Sequence, residues 1–371
     1  MIHYCFLTGL YSRRDPLMVD RQGASLVKAG FTVSYIVCDH LPNECVEGIN
    51  IISTGFVPKN RIMRFILTKK KVLTLALDVD ADIYQISDPE LISLVIPLKR
   101  KGKKVVFNLR EYYPDMILHK KYIPTYLRSI IARYSSYIMS RYLPEYDAVF
   151  TVTPQFVDFL KEKHNVKKSY LLTNYPIPDL MYHLKKEEYL NKPNVLLYEG
   201  SIYASSRQEA VFDALSQVKD IKYKLAGKIE ERCEYIKQHP YWGEVEFIDG
   251  FDKIQLKQFF GEATISNVLR DFGTHDGSLG VIKLFESMEA GLPVLLPDVP
   301  LYRDLVKRYY CGICVDPNDP LAIRNAINYL IDNKEVAYEM GQNGRRAVLE
   351  EYNWEKQAEN YIRIINNIYT L

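Results

Sequence analysis

Two doubly wound α/β domains in tandem are what this sequence predicts, on three observations. At 371 residues the chain exceeds what one hydrophobic core usually supports. Short β-rich apolar runs alternate with amphipathic stretches in both halves, the pattern of a parallel sheet with helices on both faces. Between the halves, Thr173-Asn-Tyr-Pro-Ile-Pro178 breaks all periodicity, because each proline restricts its predecessor and removes a donor. The boundary is therefore placed at residue 176, giving domains 1–176 and 177–352. Ligand is expected in the cleft between them, beyond the carboxyl ends of the strands.

Along the first half, Ile2–Leu7 and Phe31–Cys38 read as strands around a helix Asp20–Ala29 that Gly30 ends. Next come strand Ile49–Ile52, a basic helix from Arg61 to Leu77, strand Ile83–Ile86, a helix Pro89–Lys101 and strand Lys104–Asn108. A long helix, Tyr122–Leu143, precedes strand Ala148–Thr153 and helix Gln155–Lys163. After the break, strands Asn194–Tyr198, Lys222–Ala226, Val245–Ile248, Thr264–Val268, Val294–Leu296 and Gly312–Val315 alternate with helices. Those helices are Gln208–Val218, Ile229–His239, Lys253–Phe260, Val281–Ala290 and a series from Leu321 onward.

Composition is that of an ordinary globular chain, 47% hydrophobic and 25% charged. The sequence contains no apolar run long enough for a membrane span and no signal-peptide pattern at Met1–Leu7, so a cytoplasmic location is expected. The six cysteines are scattered in apolar contexts, which predicts free thiols. Cys311-Gly-Ile-Cys314 lacks a second ligand pair and reads as a turn entering a strand. Charge is uneven: residues 1–180 hold 25 Lys and Arg against 17 Asp and Glu, a balance that suggests attraction to an anionic partner.

One stretch raises a chemical question. Ser278–Val294, SLGVIKLFESMEAGLPV, places Glu286 within an otherwise apolar run. Gly277-Ser-Leu-Gly280 leads into a helix whose first turn has free N–H groups and the positive end of the dipole, which suits phosphate. Lys283 adds a cation, and Glu286 lies one turn further on the same face, where a carboxylate suits sugar hydroxyls. The plainer reading is a solvated amphipathic helix exposing both Glu286 and Glu289.

The run SLGVIKLFESMEAGLPVLLPD resembles the nucleotide-sugar binding segment of the GT-B glycosyltransferases, in particular glycosyltransferase family 4. Further pieces follow in the family's order. Asp82-Ile-Tyr84, Asp88-Pro-Glu-Leu91 and Lys104–Pro114 resemble its N-terminal domain, and Asn174-Tyr175-Pro176 its interdomain crossing. Tyr198-Glu-Gly-Ser201 through Arg207, Ala226-Gly-Lys228 and Tyr352-Asn-Trp354 resemble its C-terminal domain.

The resemblance implies two Rossmann-like domains, the first binding acceptor and the second the nucleotide sugar, with a helix at 353–371 packing back on the first. It implies Glu286 on the donor ribose, Lys283 and Arg207 facing the diphosphate, and backbone near Leu279, Gly280 and Gly200 completing the cradle. Gly9 matches a loop through which backbone approaches the donor phosphates. The resemblance further implies metal-independent, hexosyltransferase-like transfer with retention of configuration, from a UDP- or GDP-linked donor and with no other cofactor.

Departures from the family pattern bear on the chemistry. The first of the family's two acidic residues falls at Ser278, its second-domain G-R becomes Gly200-Ser201, and its histidine before Glu111 becomes Arg110. Arg110 keeps a donor and adds fixed charge where an imidazole could exchange a proton. Two readings stand: Arg110 holds an anionic group of donor or acceptor, or it pairs structurally with Glu111 or Asp115. Glu111 is the nearby carboxylate to test as acid, base or acceptor-positioning group.

Asp78-Val-Asp80-Ala-Asp82 reads as a solvated helix end and turn, with no metal expected. The stretch 59–71 interleaves cations with Ile62, Met63, Phe65, Ile66 and Leu67, which suits either an interfacial helix drawn to anionic lipid or a helix packing its apolar side on the sheet. Tyr122–Tyr142 poses the same choice. Nucleic acid is not expected, since no binding module accompanies the charge. The expected activity is transfer of a sugar to a hydroxyl of a glycan or polyprenyl-linked acceptor in surface polysaccharide synthesis. A nucleotide-sugar epimerase of similar fold and a non-catalytic sugar-nucleotide binding or scaffold protein are the alternatives.

Overall fold

The computed structural model describes residues 1–58, 63–119, 123–178, 185–271 and 282–370. It divides into two compact units: Met1–Asn174 with the residues from Gln357 on, and Tyr175–Lys356.

The first unit is an eight-stranded sheet of β1 (His3–Leu7), β2 (Thr32–Val37), β3 (Glu44–Val46), β4 (Ile49–Ser53), β5 (Ile83–Ile86), β6 (Lys104–Leu109), β7 (Ala148–Thr151) and β8 (Ser169–Leu171). Its order is β3-β4-β2-β1-β5-β6-β7-β8, parallel except for β3 against β4. Winding therefore reverses between β1 and β5, the place where such sheets open a crevice beyond their strand ends. Alternation sends Cys5, Leu7, Tyr84, Ile86, Val105 and Phe107 to one face, under helical residues Val72, Ala76, Leu91, Leu94 and Leu98. Tyr4 points to the other face, where a buried hydroxyl needs a partner. Tyr361 of the helix Trp354–Thr370 donates to Tyr4 Oη at 2.9 Å and Gln85 Oε1 at 3.0 Å, fixing this C-terminal helix to the first unit.

The second unit is an all-parallel sheet of β9 (Asn194–Glu199), β10 (Ile221–Ala226), β11 (Val245–Ile248), β12 (Ile265–Asn267), β13 (Val294–Pro297) and β14 (Gly312–Val315), ordered β11-β10-β9-β12-β13-β14. Here winding reverses between β9 and β12. The core gathers Leu196, Leu225, Ile265 and Leu295 from the strands with Val211, Phe212, Phe260 and Ile327 from the covering helices.

The α/β class and the two doubly wound sheets are as the alternation predicts. Two strands went unforeseen, β3 and β8, each three residues long and at a sheet edge, too short to show a period. The helices Tyr113–His119, Lys186–Asn191 and Pro300–Tyr309 were also missed, and 231–238 winds as a tight 3₁₀ helix rather than the α-helix expected at Ile229–His239. All six cysteines are free, and burial pushes the Cys311 thiol up to about 12. Among the described residues no helix is long and apolar enough to cross a membrane, and no cluster of His, Cys, Asp or Glu could hold a metal ion.

Candidate functional site

In the second unit the carboxyl end of β9 carries Glu199 and Gly200, on the strand at the reversal. Gly200 adopts φ +107° and Gly227, after β10, φ +142°. A Cβ on Gly227 would stand 2.0 Å from the Gly200 carbonyl oxygen, so only glycine lets these two loops meet backbone to backbone. Beside them runs the helix Ile282–Glu289. Its register is set by Ser287, whose hydroxyl is 2.7 Å from Ser266 Oγ on β12 and donates to the Lys283 carbonyl at 2.7 Å. Phe285 packs edge-on against Tyr175, ring centroids 4.8 Å apart.

That register delivers Lys283 to the end of β9. Its Nζ lies 3.9 Å from the centroid of the Tyr198 ring and donates to the Glu199 carbonyl oxygen at 3.4 Å. Among the described residues Lys283 makes no ion pair. Glu286, a turn further on, is half-buried, and Glu289 is wholly buried, which excludes a helix exposing both. The Glu199 side chain is 7% exposed, and its Oε1 has no hydrogen-bond partner among the described residues. Burial pushes its pKa up, with Lys283 pulling the other way. Arg207, at φ +47° before the helix Gln208–Leu215, donates from Nε to Asp271 Oδ2 at 2.9 Å and from Nη2 to the same oxygen.

In the first unit the reversal point is tied together by a carboxyl. Asp88, after β5, is buried and accepts from the Gly9 N–H at 2.5 Å and from the Thr8 hydroxyl at 3.0 and 3.1 Å, both residues lying after β1. Burial raises the Asp88 pKa to about 7 against the lowering effect of the Gly9 N–H. Thr8 Oγ1 in turn accepts from the N–H groups of Leu10 and Tyr11. The Tyr11 ring lies under Arg110, 3.8 Å from centroid to guanidinium, and Arg110 is held by Asp15 through two bonds of 3.0 and 2.8 Å. Burial pulls the Arg110 pKa down, and the hydrogen bonds and charge of Asp15 outweigh it, leaving a net rise.

With this geometry in view, the chain can be set against known proteins. The model of glycosyl transferases group 1 matches residues 183–347 and that of glycosyltransferase family 4 matches residues 18–174. The chain belongs to the GT-B glycosyltransferases. Sucrose-phosphate synthase from Thermosynechococcus elongatus is similar in structure, with TM-score 0.77, 16% identity and full coverage of both chains. HepE from Anabaena, solved with UDP and glucose, gives TM-score 0.72 and 14% identity over 99% of this chain and 100% of its own. WaaG, a glycosyltransferase involved in lipopolysaccharide biosynthesis, gives TM-score 0.70 and 15% identity over 97% of this chain and 99% of its own. No curated protein matches the chain.

The residues expected to act in this glycosyltransferase fall into three groups. Lys283 reaches the end of β9 beside Gly200, Glu286 lies one turn further along the same helix, and Arg207 with its partner Asp271 stands in the same unit. Leu279 and Gly280 lie outside the described residues. In the first unit, two residues have partners that the sequence did not indicate. Arg110 pairs with Asp15, not with Glu111 or Asp115, because the loop after β1 brings Asp15 under the end of β6. The Gly9 N–H goes to Asp88; the missing side chain makes room for Thr68, whose Cγ2 would lie 2.5 Å from a Cβ. Glu111 is exposed. Sequence reasoning missed Glu199, Asp88 and Asp15 as site-forming groups. The available signal was a carboxylate ending an apolar strand, NVLLYE before Gly200 and IYQISD before Pro89.

Proposed function

We propose that the protein is a retaining glycosyltransferase that moves a hexosyl group from a UDP- or GDP-linked donor to a hydroxyl of a glycan or lipid-linked acceptor, in surface polysaccharide synthesis. The observation that carries this reading is the pairing of Lys283 and Glu286 on one helix beside the end of β9: a cation with no ion pair among the described residues, then a half-buried carboxylate one turn on. Lys283 would meet the donor diphosphate, and Glu286 would accept from the ribose hydroxyls. Arg207 would add charge, because its guanidinium is already oriented by Asp271 and remains partly exposed. HepE, whose structure contains UDP and glucose, supports a uridine nucleotide as a first candidate.

In the reaction the bond between the anomeric carbon and the diphosphate oxygen breaks, that oxygen keeping the electron pair. The acceptor oxygen bonds to the same carbon and gives up its proton. Fixed cations stabilise the charge that gathers on the leaving diphosphate, a role that needs no metal. Glu111, exposed after β6, and the Arg110 pair beside it are the groups we assign to the acceptor side.

The segment 59–71 we assign to an anionic bilayer surface. Its described part exposes Phe65, Ile66 and Leu67 while Val72 and Ala76, on the same helical run, pack on the sheet. The helix Thr125–Tyr142 also exposes apolar and aromatic residues, Tyr126, Ile130, Tyr134 and Tyr137, and contains no acidic residue. Sedimentation with phosphatidylglycerol vesicles should carry the wild type down and leave a Phe65→Ser, Ile66→Ser variant in solution.

The donor reading is tested by thermal shift with UDP, GDP, CMP, TDP and their sugar conjugates, wild type beside Glu286→Ala. Stabilisation by one nucleotide, lost in the variant, is the expected result. Stabilisation undiminished in Glu286→Ala would remove Glu286 from the donor site. Conversion of the nucleotide sugar with no acceptor present would favour an epimerase.

A further inference from the structure

We propose that Glu199 is a donor-contacting residue that works as a neutral carboxylic acid, its O–H donating to an anionic oxygen of the nucleoside diphosphate that Lys283 also faces. The inference rests on the donor reading above and assigns that site a proton.

Three features of geometry carry it. Glu199 ends β9, the strand at which the winding of the second sheet reverses, so its side chain is placed where such sheets receive ligand. It is more than nine-tenths buried, yet Oε1 has no partner among the described residues. An ionised carboxylate in that position would be strongly penalised without hydrogen bonds or a counter-charge. A counter-charge is at hand and is not used. Lys283 Nζ is bonded to the backbone carbonyl of this same residue and lies over the ring of Tyr198, and it forms no ion pair with the Glu199 carboxyl. A neutral Glu199 leaves the Lys283 charge available to an incoming anion. An ionised one would compete for that charge and repel the diphosphate.

The surroundings agree. Paired with Glu199 on β10 is Ala226, followed by Gly227, and β12 on the other side ends in Ser266 and Asn267, none of them charged. Tyr198 and Tyr223 are the nearby phenols on β9 and β10, and burial holds Tyr223 protonated. From the helix Ile282–Glu289 comes Lys283, which favours the ionised form of Glu199, and Glu286 lies one turn further along it. Burial is the larger influence, and it raises the Glu199 pKa. A bound diphosphate brings negative charge and raises it further, so the complex holds a proton that the free enzyme releases at higher pH.

Donor binding should therefore take up a proton, and affinity should fall as pH rises, by up to about tenfold per pH unit between the free and bound pKa values. Calorimetric titration with UDP-glucose and with GDP-mannose, whose diphosphates do not titrate between pH 5.5 and 8.5, reads both effects. Measurements in buffers of different ionisation enthalpy count the protons. Wild type should show proton uptake and weakening affinity with pH. Glu199→Gln, an uncharged donor of the same shape, should bind with pH-independent affinity and no uptake, and at pH 8.5 more tightly than wild type. Glu199→Ala should bind weakly throughout. Wild-type binding with no pH slope and no proton uptake, or a slope that persists in Glu199→Gln, would overturn the inference and leave the donor site standing. Folded wild type and Glu199→Gln that bind neither sugar nucleotide nor the free diphosphates would overturn the donor reading itself, and this inference with it.

Discussion

The two units repeat one topology and treat its key position in opposite ways. In each, the winding reverses beside the first strand, and a buried carboxyl stands at the reversal: Asp88 between β1 and β5, Glu199 between β9 and β12. Asp88 is closed off by Thr8 and the Gly9 N–H, whereas Glu199 keeps an oxygen without a partner among the described residues. Their cations differ in the same sense. Arg110 is bound in two hydrogen bonds to Asp15, whereas Lys283 rests on a ring and a carbonyl. A polar group buried at a strand end either satisfies its neighbours or waits for a ligand. Asp88 has taken the first course and Glu199 the other.

If that contrast is right, removing a partner should damage the first unit's stability and the second unit's binding. The largest effect is expected at Asp15. Asp15→Ala leaves the Arg110 guanidinium largely buried and unpaired and removes the acceptor for the Met18 N–H, which should cost about 3 kcal/mol. Urea unfolding of Asp15→Ala against the double variant Asp15→Leu, Arg110→Met isolates the charge: the double variant should recover most of the loss. A single variant as stable as wild type would mean that Arg110 is not held by Asp15.

The counterpart in the second unit is Lys283→Met. The aliphatic stem can still cover Tyr198 while the charge is gone, so the melting temperature should hardly move. Sugar-nucleotide affinity should fall about ten- to a hundredfold, the range for a hydrogen bond to a charged group. A large loss of stability with unchanged affinity would reverse the contrast, making Lys283 a structural residue.

How far this difference could be read from sequence depends on which group is considered. That Lys283 and Glu286 stand one turn apart on one helix was legible, because a helix's period fixes which of its residues are neighbours. The alternation of strands and helices gave the two sheets for the same local reason. Arg110 was read either as an anion contact or as the partner of Glu111 or Asp115; Asp15 was not foreseen, since it stands 95 positions earlier and nothing in a local pattern links them. Gly9 was read as part of a loop that approaches phosphate, and the acceptor of its N–H, Asp88, was not foreseen because it arrives from the next strand of the sheet. Glu199 was quoted in the motif Tyr198–Ser201 and passed over. Its significance lies in what fails to contact it, which only the packing of β10, β12 and the helix around it reveals.

The smallest effect, and the one that bears most directly on the paired carboxyls, is a slope with pH. Native Asp88 titrates at about 7, raised by burial, while in the unfolded chain it ionises at ordinary carboxylate pH. Between these values the native state binds the proton and the unfolded state does not, so the contribution to stability is present at low pH and is lost as pH rises through 7. From pH 6 to pH 8 this amounts to about 1 kcal/mol. Asp88→Asn removes the titration while its amide oxygen can still accept from the Gly9 N–H and the Thr8 hydroxyl. Unfolding midpoints should therefore decline from pH 6 to 8 in wild type and less steeply in Asp88→Asn, with sugar-nucleotide affinity alike in both. The expected complement is Glu199→Gln, which should flatten the pH dependence of affinity. If instead Asp88→Asn changed the pH dependence of donor binding, the acid at the first reversal would be engaged with ligand too, and the division of labour between the two units would fail.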